Sequence, residues 1–150
     1  MKKVLVTGAT GFLGKYVVEE LVEHGYQVRA FGRNRTIGQS LVNASVTFIQ
    51  GDLTNQEDLT MACQEMDMVV HAGALSTVWG PWEDFYRTNV LGTKYVLEAC
   101  REANIERLVY VSSPSIYAAP RDQLGIKESD APQENRLNNY IRSKLASEKL

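Results

Sequence analysis

The chain has no apolar run approaching the roughly 18 consecutive residues a membrane-spanning helix needs, which argues against a membrane span. Cysteine is scarce. Cys63 and Cys100 are the only two, both fall in helical patterns, and they share no metal or redox spacing, so free buried thiols and no metal are expected. Two histidines are present. His24 sits at a helix end, where it suits the negative pole of the helix dipole, and His71 lies within a strand, where a satisfied core residue is the ordinary reading. Neither sign of charge prevails, since 16 Lys and Arg stand against 18 Asp and Glu for a net charge of −2. That balance offers nucleic acid no basic surface and leaves no charged tail. Met1-Lys2-Lys3 runs directly into a strand rather than a signal peptide, so the expected compartment is the cytoplasm.

What the chain does have begins at Val4-Leu5-Val6-Thr7-Gly8-Ala9-Thr10-Gly11-Phe12-Leu13-Gly14: a buried strand, a glycine turn and a helix start. Gly8 permits a tight turn, Gly11 lets a phosphate approach the backbone, and Gly14 lets the helix pack closely. A nucleotide pyrophosphate would rest on the unpaired N–H groups at the positive end of that helix. Tyr16-Val17-Val18 and Leu21-Val22 lay an apolar stripe along it, and His24-Gly25 ends it.

Further strands are predicted at Tyr26–Phe31, Val46–Ile49, Asp67–His71 and Leu108–Ser113, alternating with helices. In a dinucleotide fold the end of the second strand meets the adenosine ribose, where an acidic residue suits two hydroxyls. Gly32 occupies that place with Arg33 and Arg35 beside it, which favours a 2′-phosphate and hence NADP over NAD, the alternative being a solvated loop. Asp52 stands at the end of the third strand, either receiving the adenine amino group or serving as a local cap. Thr54 and Glu57 have the spacing of a capping box. The small residues Ala72-Gly73-Ala74 follow the fourth strand and would let a ribose approach the main chain. Ser76 to Trp82 forms a loop with two tryptophans, either a wall for an apolar substrate or a lid without ligand contact. Residues 82–103 read as one helix of about six turns. Its apolar surface is broad enough for two packing partners, the sheet and a second subunit, and Asn89 interrupts it unexplained. Residues 114–139 are irregular, with Pro120, Gly125 and Pro132 excluding a long helix, and a loop of that length is usually functional.

Tyr140 and Lys144 lie four apart in the last helical pattern and so share a face. An ammonium near a phenol favours the phenolate, which makes a tyrosine a usable general acid or base. Ser113, at a neighbouring strand end, is placed to bond a substrate oxygen whose charge changes during reaction.

Taken together, TGATGFLG, GDLT, HAGA, TNVLGT, YVSS and YIRSK resemble the extended short-chain dehydrogenase/reductase family in the expected order along nearly the whole chain. That family includes the NAD(P)-dependent epimerases and dehydratases, and the Trp-Gly-Pro-Trp loop and Ser-Ser-Pro-Ser run look more like its 3β-hydroxysteroid dehydrogenase branch. The resemblance implies a Rossmann-like, doubly wound α/β fold with five parallel strands in the order 3-2-1-4-5 and helices on both faces. It implies Ser113, Tyr140 and Lys144 as catalytic residues. By the same resemblance Gly8, Thr10, Gly11, Phe12, Leu13, Gly14, Arg33, Asp52, Leu53, Ala72, Gly73, Ala74 and Asn89 contact the cofactor, together with Tyr140 and Lys144. Family members are about twice as long, so residues 1–150 would be an incomplete NAD(P)-binding domain, truncated before the sixth strand and lacking a carboxyl-terminal substrate domain. The expected activity is hydride transfer between nicotinamide and a small-molecule secondary alcohol or ketone, weak or absent in the isolated chain. Nucleotide-sugar epimerisation or dehydration and non-catalytic dinucleotide sensing are the alternatives. The apolar edge such a chain would leave suggests a homodimer or other self-association through 82–103 and 140–150.

Overall fold

The computed structural model describes every residue from Met1 to Leu150. Five parallel strands form one sheet: β1 (Lys3–Thr7), β2 (Gln27–Gly32), β3 (Val46–Gln50), β4 (Met68–His71) and β5 (Arg107–Tyr110). Their order is β3-β2-β1-β4-β5, as the family resemblance implies. Residue alternation along each strand decides which face each side chain enters. Val4, Val6, Val28 and Ala30 pack under α1 (Phe12–Glu23), with Leu41 just beyond α2 (Arg35–Ser40) against the same cluster. Leu5, Phe31 and Val69 enter the opposite face and meet Leu59, Ala62 and Cys63 of α3 (Gln56–Cys63) and Val96, Ala99 and Cys100 of α5 (Gly92–Glu102). Helices therefore cover both faces, and both thiols are free and buried.

Helix α1 ends as read, with Gly25 at φ +80° just past its last turn and His24 Nδ1 donating to the Glu20 carbonyl at 2.9 Å. Tyr16 lies outside the apolar stripe; it is exposed and meets Phe12 edge-on at 5.5 Å.

Several local readings are corrected. Asn55, not Thr54, caps α3, because its carboxamide accepts from Glu57 N and Asp58 N while the Thr54 hydroxyl turns back to Asp52. Arg35 opens a short helix capped by Asn34 instead of extending a loop. Strand β5 ends at Tyr110, so Ser112 and Ser113 belong to the segment beyond it. The predicted helix over 82–103 is α4 (Trp82–Phe85), a π-helical turn (Tyr86–Leu91) and α5 run end to end. The π turn inserts a wider ring of backbone bonds and swings Asn89 inward, where it is buried. A last helix, α6 (Asn139–Glu148), is capped by Asn138 and packs on α4 and the π turn. Residues 114–139 carry only two 3₁₀ turns, Pro114–Tyr117 and Glu128–Asp130. No helix is long and apolar enough to cross a membrane.

Candidate active site

The order in which strands are added reverses between β1 and β4, and this leaves a crevice beyond the strands' carboxyl ends. A cleft of about 450 Å³ occupies it. Gly8, Thr10, Gly11, Phe12, Leu13 and Gly14 form one wall, and Arg33, Asp52 and Leu53 close the end beyond β2 and β3. Ala72, Gly73 and Ala74 form the floor past β4, and Tyr140 and Lys144 stand at the far end.

The glycine wall is set by steric necessity. Gly8 has φ +69°, and a Cβ there would lie 2.6 Å from Gly73 Cα, so the turns after β1 and β4 touch backbone to backbone. A Cβ on Gly14 would lie 2.0 Å from the Gly8 carbonyl oxygen. Helix α1 begins at Gly11 with no side-chain cap, so its first-turn N–H groups face the cleft without a protein carboxylate or hydroxyl on them. Phe12 and Leu13 are exposed at its rim. An unscreened helix start beside a backbone cradle that a Cβ would fill is the donor set a pyrophosphate requires.

At the adenosine end, Arg33 is exposed and makes no ion pair, whereas Arg35 does not line the cleft. Asp52 serves as a local turn: its Oδ1 accepts from Thr54 N and Thr54 Oγ1, both at 2.9 Å, and it lines the cleft as well.

Two predicted residues stand off the cleft wall. Asn89 is buried behind it, and its carboxamide serves the protein itself. It accepts from Leu75 N at 2.7 Å and donates to Leu75 O at 3.0 Å and Ser143 Oγ at 2.8 Å. Ser113 caps the 3₁₀ turn by accepting from Ser115 N at 3.2 Å, while its neighbour Ser112 lines the cleft with a buried hydroxyl that has no protein partner. Phe31, Gly51, Leu75, Thr88 and Val111 line the cleft without a sequence expectation, and Ser112 takes the place on the wall expected for Ser113. Thr88 was detectable in principle, being one residue from Asn89, but only the π turn decides which of the two faces the cleft.

Lys144 reaches the cleft from within. Its Nζ donates to Val111 O at 2.7 Å and lies 4.4 Å from the centre of the Tyr110 ring. Burial lowers its pKa from 10.5 to about 8. Tyr110 is pushed up to about 12, chiefly by burial. His71 is a satisfied core residue, as read. It bonds Thr7 Oγ1 at 2.6 Å and Thr93 Oγ1 at 3.0 Å, and burial, aided by the Lys144 charge, pushes it down to about 3. The tryptophan loop is held at its stem: Asn139 Nδ2 donates to Gly80 O at 2.9 Å and the Arg142 guanidinium lies 3.7 Å above the Trp82 ring. Trp79 at its tip is 88% exposed.

The chain is similar to curated oxidoreductases and to solved nucleotide-sugar enzymes. It is 40% identical over 145 residues to a 2-alkyl-3-oxoalkanoate reductase of Shewanella oneidensis, matching 97% of this chain and 37% of the relative. It is 43% identical over 115 residues to the decarboxylating sterol-4-alpha-carboxylate 3-dehydrogenase of Mus musculus, matching 77% of this chain and 31% of the relative. The solved UDP-glucose 4-epimerase of Thermus thermophilus, in complex with NAD, superposes with a TM-score of 0.85 at 32% identity, covering 98% of this chain and 49% of that one. The chain thus spans less than half the length of each. Residues 4–150 match the family described as NAD dependent epimerase/dehydratase. With the sheet order, the glycine cradle and the Tyr140 and Lys144 helix meeting at one cleft, the chain belongs to the NAD dependent epimerase/dehydratase family.

Proposed function

We propose that the chain forms the cofactor-binding part of an oxidoreductase that interconverts a secondary alcohol and a ketone, with NADP preferred over NAD. The observation that carries this reading is a single cleft with a backbone phosphate cradle at Gly8, Gly11 and Gly14 and with Tyr140 and Lys144 at its other end. Bound there, the nicotinamide ring supplies or accepts the hydride. The protein's own groups do the rest. Tyr140 holds the proton exchanged with the substrate oxygen, and Lys144, an amine desolvated in the same cleft, bonds the nicotinamide-side ribose. Ser113 accepts from Ser115 N through a lone pair, so its hydroxyl proton remains available for the substrate oxygen. Arg33, unpaired at the far end, suits a 2′-phosphate.

The names of the two curated relatives share one chemical feature. Each places the reacting oxygen on the carbon beside the one bearing a carboxylate, on a largely apolar body. We assign the same substrate class here, an apolar β-oxo or β-hydroxy acid, with the exposed Trp79 as apolar wall. Free thiols at Cys63 and Cys100 suit a reducing compartment, the cytoplasm. Self-association would use the helical stretches 82–103 and 140–150, and sedimentation of the purified protein tests it.

Turnover of 3-oxo acids with NADPH tests the function. Tyr140→Phe should abolish turnover and leave cofactor affinity almost unchanged; retained turnover removes the tyrosine from its role. Ser113→Ala should slow turnover more than Ser112→Ala, and the reverse order transfers the role to Ser112. Epimerisation is the second reading, favoured by the NAD-bound epimerase neighbour. Cofactor that stays bound through purification supports it, and freely exchanging cofactor supports the reductase.

A further inference from the structure

We propose that His71 is a positioning residue that sets the cofactor-binding loop after β4 against the helix carrying Tyr140 and Lys144, acting as a neutral imidazole in one tautomer. The hydrogen-bond directions place a proton on Nε2, and burial keeps the ring neutral. Thr93 has one hydroxyl proton, and it goes to the Asn89 carbonyl at 2.6 Å. The 3.0 Å contact between His71 Nε2 and Thr93 Oγ1 is therefore made by an Nε2–H donor. In a neutral ring Nδ1 is then an acceptor, so the Thr7 hydroxyl donates to it at 2.6 Å. Thr7 Oγ1 in turn accepts from Gly73 N at 3.2 Å. Each proton in the chain from Gly73 through Thr7, His71 and Thr93 to Asn89 points one way, fixed at one end by the Gly73 N–H, which only donates, and at the other by the Asn89 carbonyl, which only accepts.

The two ends of that chain matter to the cleft. Gly73 lies on its floor, and Asn89 holds Leu75, two residues further along the same loop. Asn89 also donates to Ser143 Oγ, which donates to the Tyr140 carbonyl at 2.7 Å, and Ser147 Oγ shares its one proton between the Asn89 and Ser143 carbonyls, both at 2.7 Å. The loop after β4 has no sheet partner at Gly73, and these side-chain bonds act beside its backbone contact with Gly8 in placing it. Burial keeps the ring uncharged. A protonated ring would offer Thr7 a donor in place of an acceptor and would set a second cation near Lys144.

The inference rests on the reading of the cleft as a dinucleotide site. Its test compares ADP, which reaches only the glycine cradle and adenosine end, with NAD, which also lies along the loop after β4. His71→Phe removes both ring bonds; His71→Gln keeps one donor and one acceptor. Calorimetry is expected to show that His71→Phe weakens NAD about tenfold or more while ADP changes less than about twofold, and that His71→Gln recovers most of the loss. Equal weakening of both nucleotides, no weakening, or a glutamine variant as poor as the phenylalanine one overturns the role. Should His71→Phe not fold, the glutamine variant and the tautomer in the unaltered protein decide. Nitrogen-15 spectra should show a neutral Nε2–H ring from about pH 5 to 8, and an Nδ1–H or charged ring in that range overturns the role. If the unaltered protein binds neither nucleotide, it is the dinucleotide reading of the cleft that fails.

Discussion

Asn89 makes a two-point contact with the main chain of Leu75, accepting from its N–H at 2.7 Å and donating to its carbonyl at 3.0 Å. The same geometry explains why asparagine interrupts an otherwise apolar helical run. Asn89→Ala would leave Leu75 N–H, Leu75 C=O and the Ser143 hydroxyl short of a partner behind the cleft. The expected loss is about 2–4 kcal/mol of stability. Thermal unfolding checks it, and a fall in midpoint of about 5–15 °C corresponds to that loss.

Gly14→Ala and Gly11→Ala should part company. The added methyl at Gly14 meets the Gly8 carbonyl at 2.0 Å, and backbone must move to admit it. That variant should lose about 2–3 kcal/mol of stability and its nucleotide affinity together. At Gly11 the nearest atom is 3.2 Å away and φ is −89°, so folding should cost under about 1 kcal/mol while nucleotide binding weakens. Denaturant unfolding and calorimetry on both variants separate the two effects.

Arg33 has no acidic partner and faces the adenosine end of the cleft. Arg33→Ala should weaken NADP about tenfold or more, the scale of a lost charge-assisted phosphate contact, and change NAD by less than about twofold. Parallel titrations with the two cofactors check this. Equal effects on both would remove the arginine from 2′-phosphate recognition.

Lys144 should leave a signature in the pH dependence of stability. Its pKa in the folded protein is about 8, below the ordinary 10.5, because burial disfavours the ammonium. Between those values the unfolded chain binds more protons, so stability rises with pH. Below about pH 8 the unfavourable contribution is fully present, and by about pH 10.5 it is gone. Relative to Lys144→Met, the unaltered protein should gain about 1–3 kcal/mol across that window, with allowance for residual solvent contact. Denaturant unfolding of both proteins from about pH 7 to 10.5 checks the sign; a constant difference would show that the amine is not desolvated.

Local chemistry accounts for what the sequence reading found correctly. Short apolar runs, and alternation in the second strand, located all five strands, and Gly8 and Gly25 marked positive-φ positions where a side chain is disfavoured. His71 read as a core residue because a lone histidine inside a strand has the surroundings of one. Where the reading missed, the deciding partner was distant in sequence. Thr54 and Asn55 are both competent caps, and Asp52 decided between them by engaging the threonine. The π turn was invisible because it preserves helical composition while shifting register, and the pull on Asn89 comes from Leu75 and Ser143. Ser112 and Ser113 differ only in which way the segment after β5 turns.

By itself, then, the sequence determined the alternation of strand and helix, the glycine turn and the tyrosine–lysine spacing, because each depends on steric rules acting within a few residues. Only the tertiary structure decided which side chains line the cleft and which brace it from behind. That sorting depends on packing between segments far apart in the chain, where a one-residue rotation at Asn89 moves a carboxamide from the cleft into the protein interior.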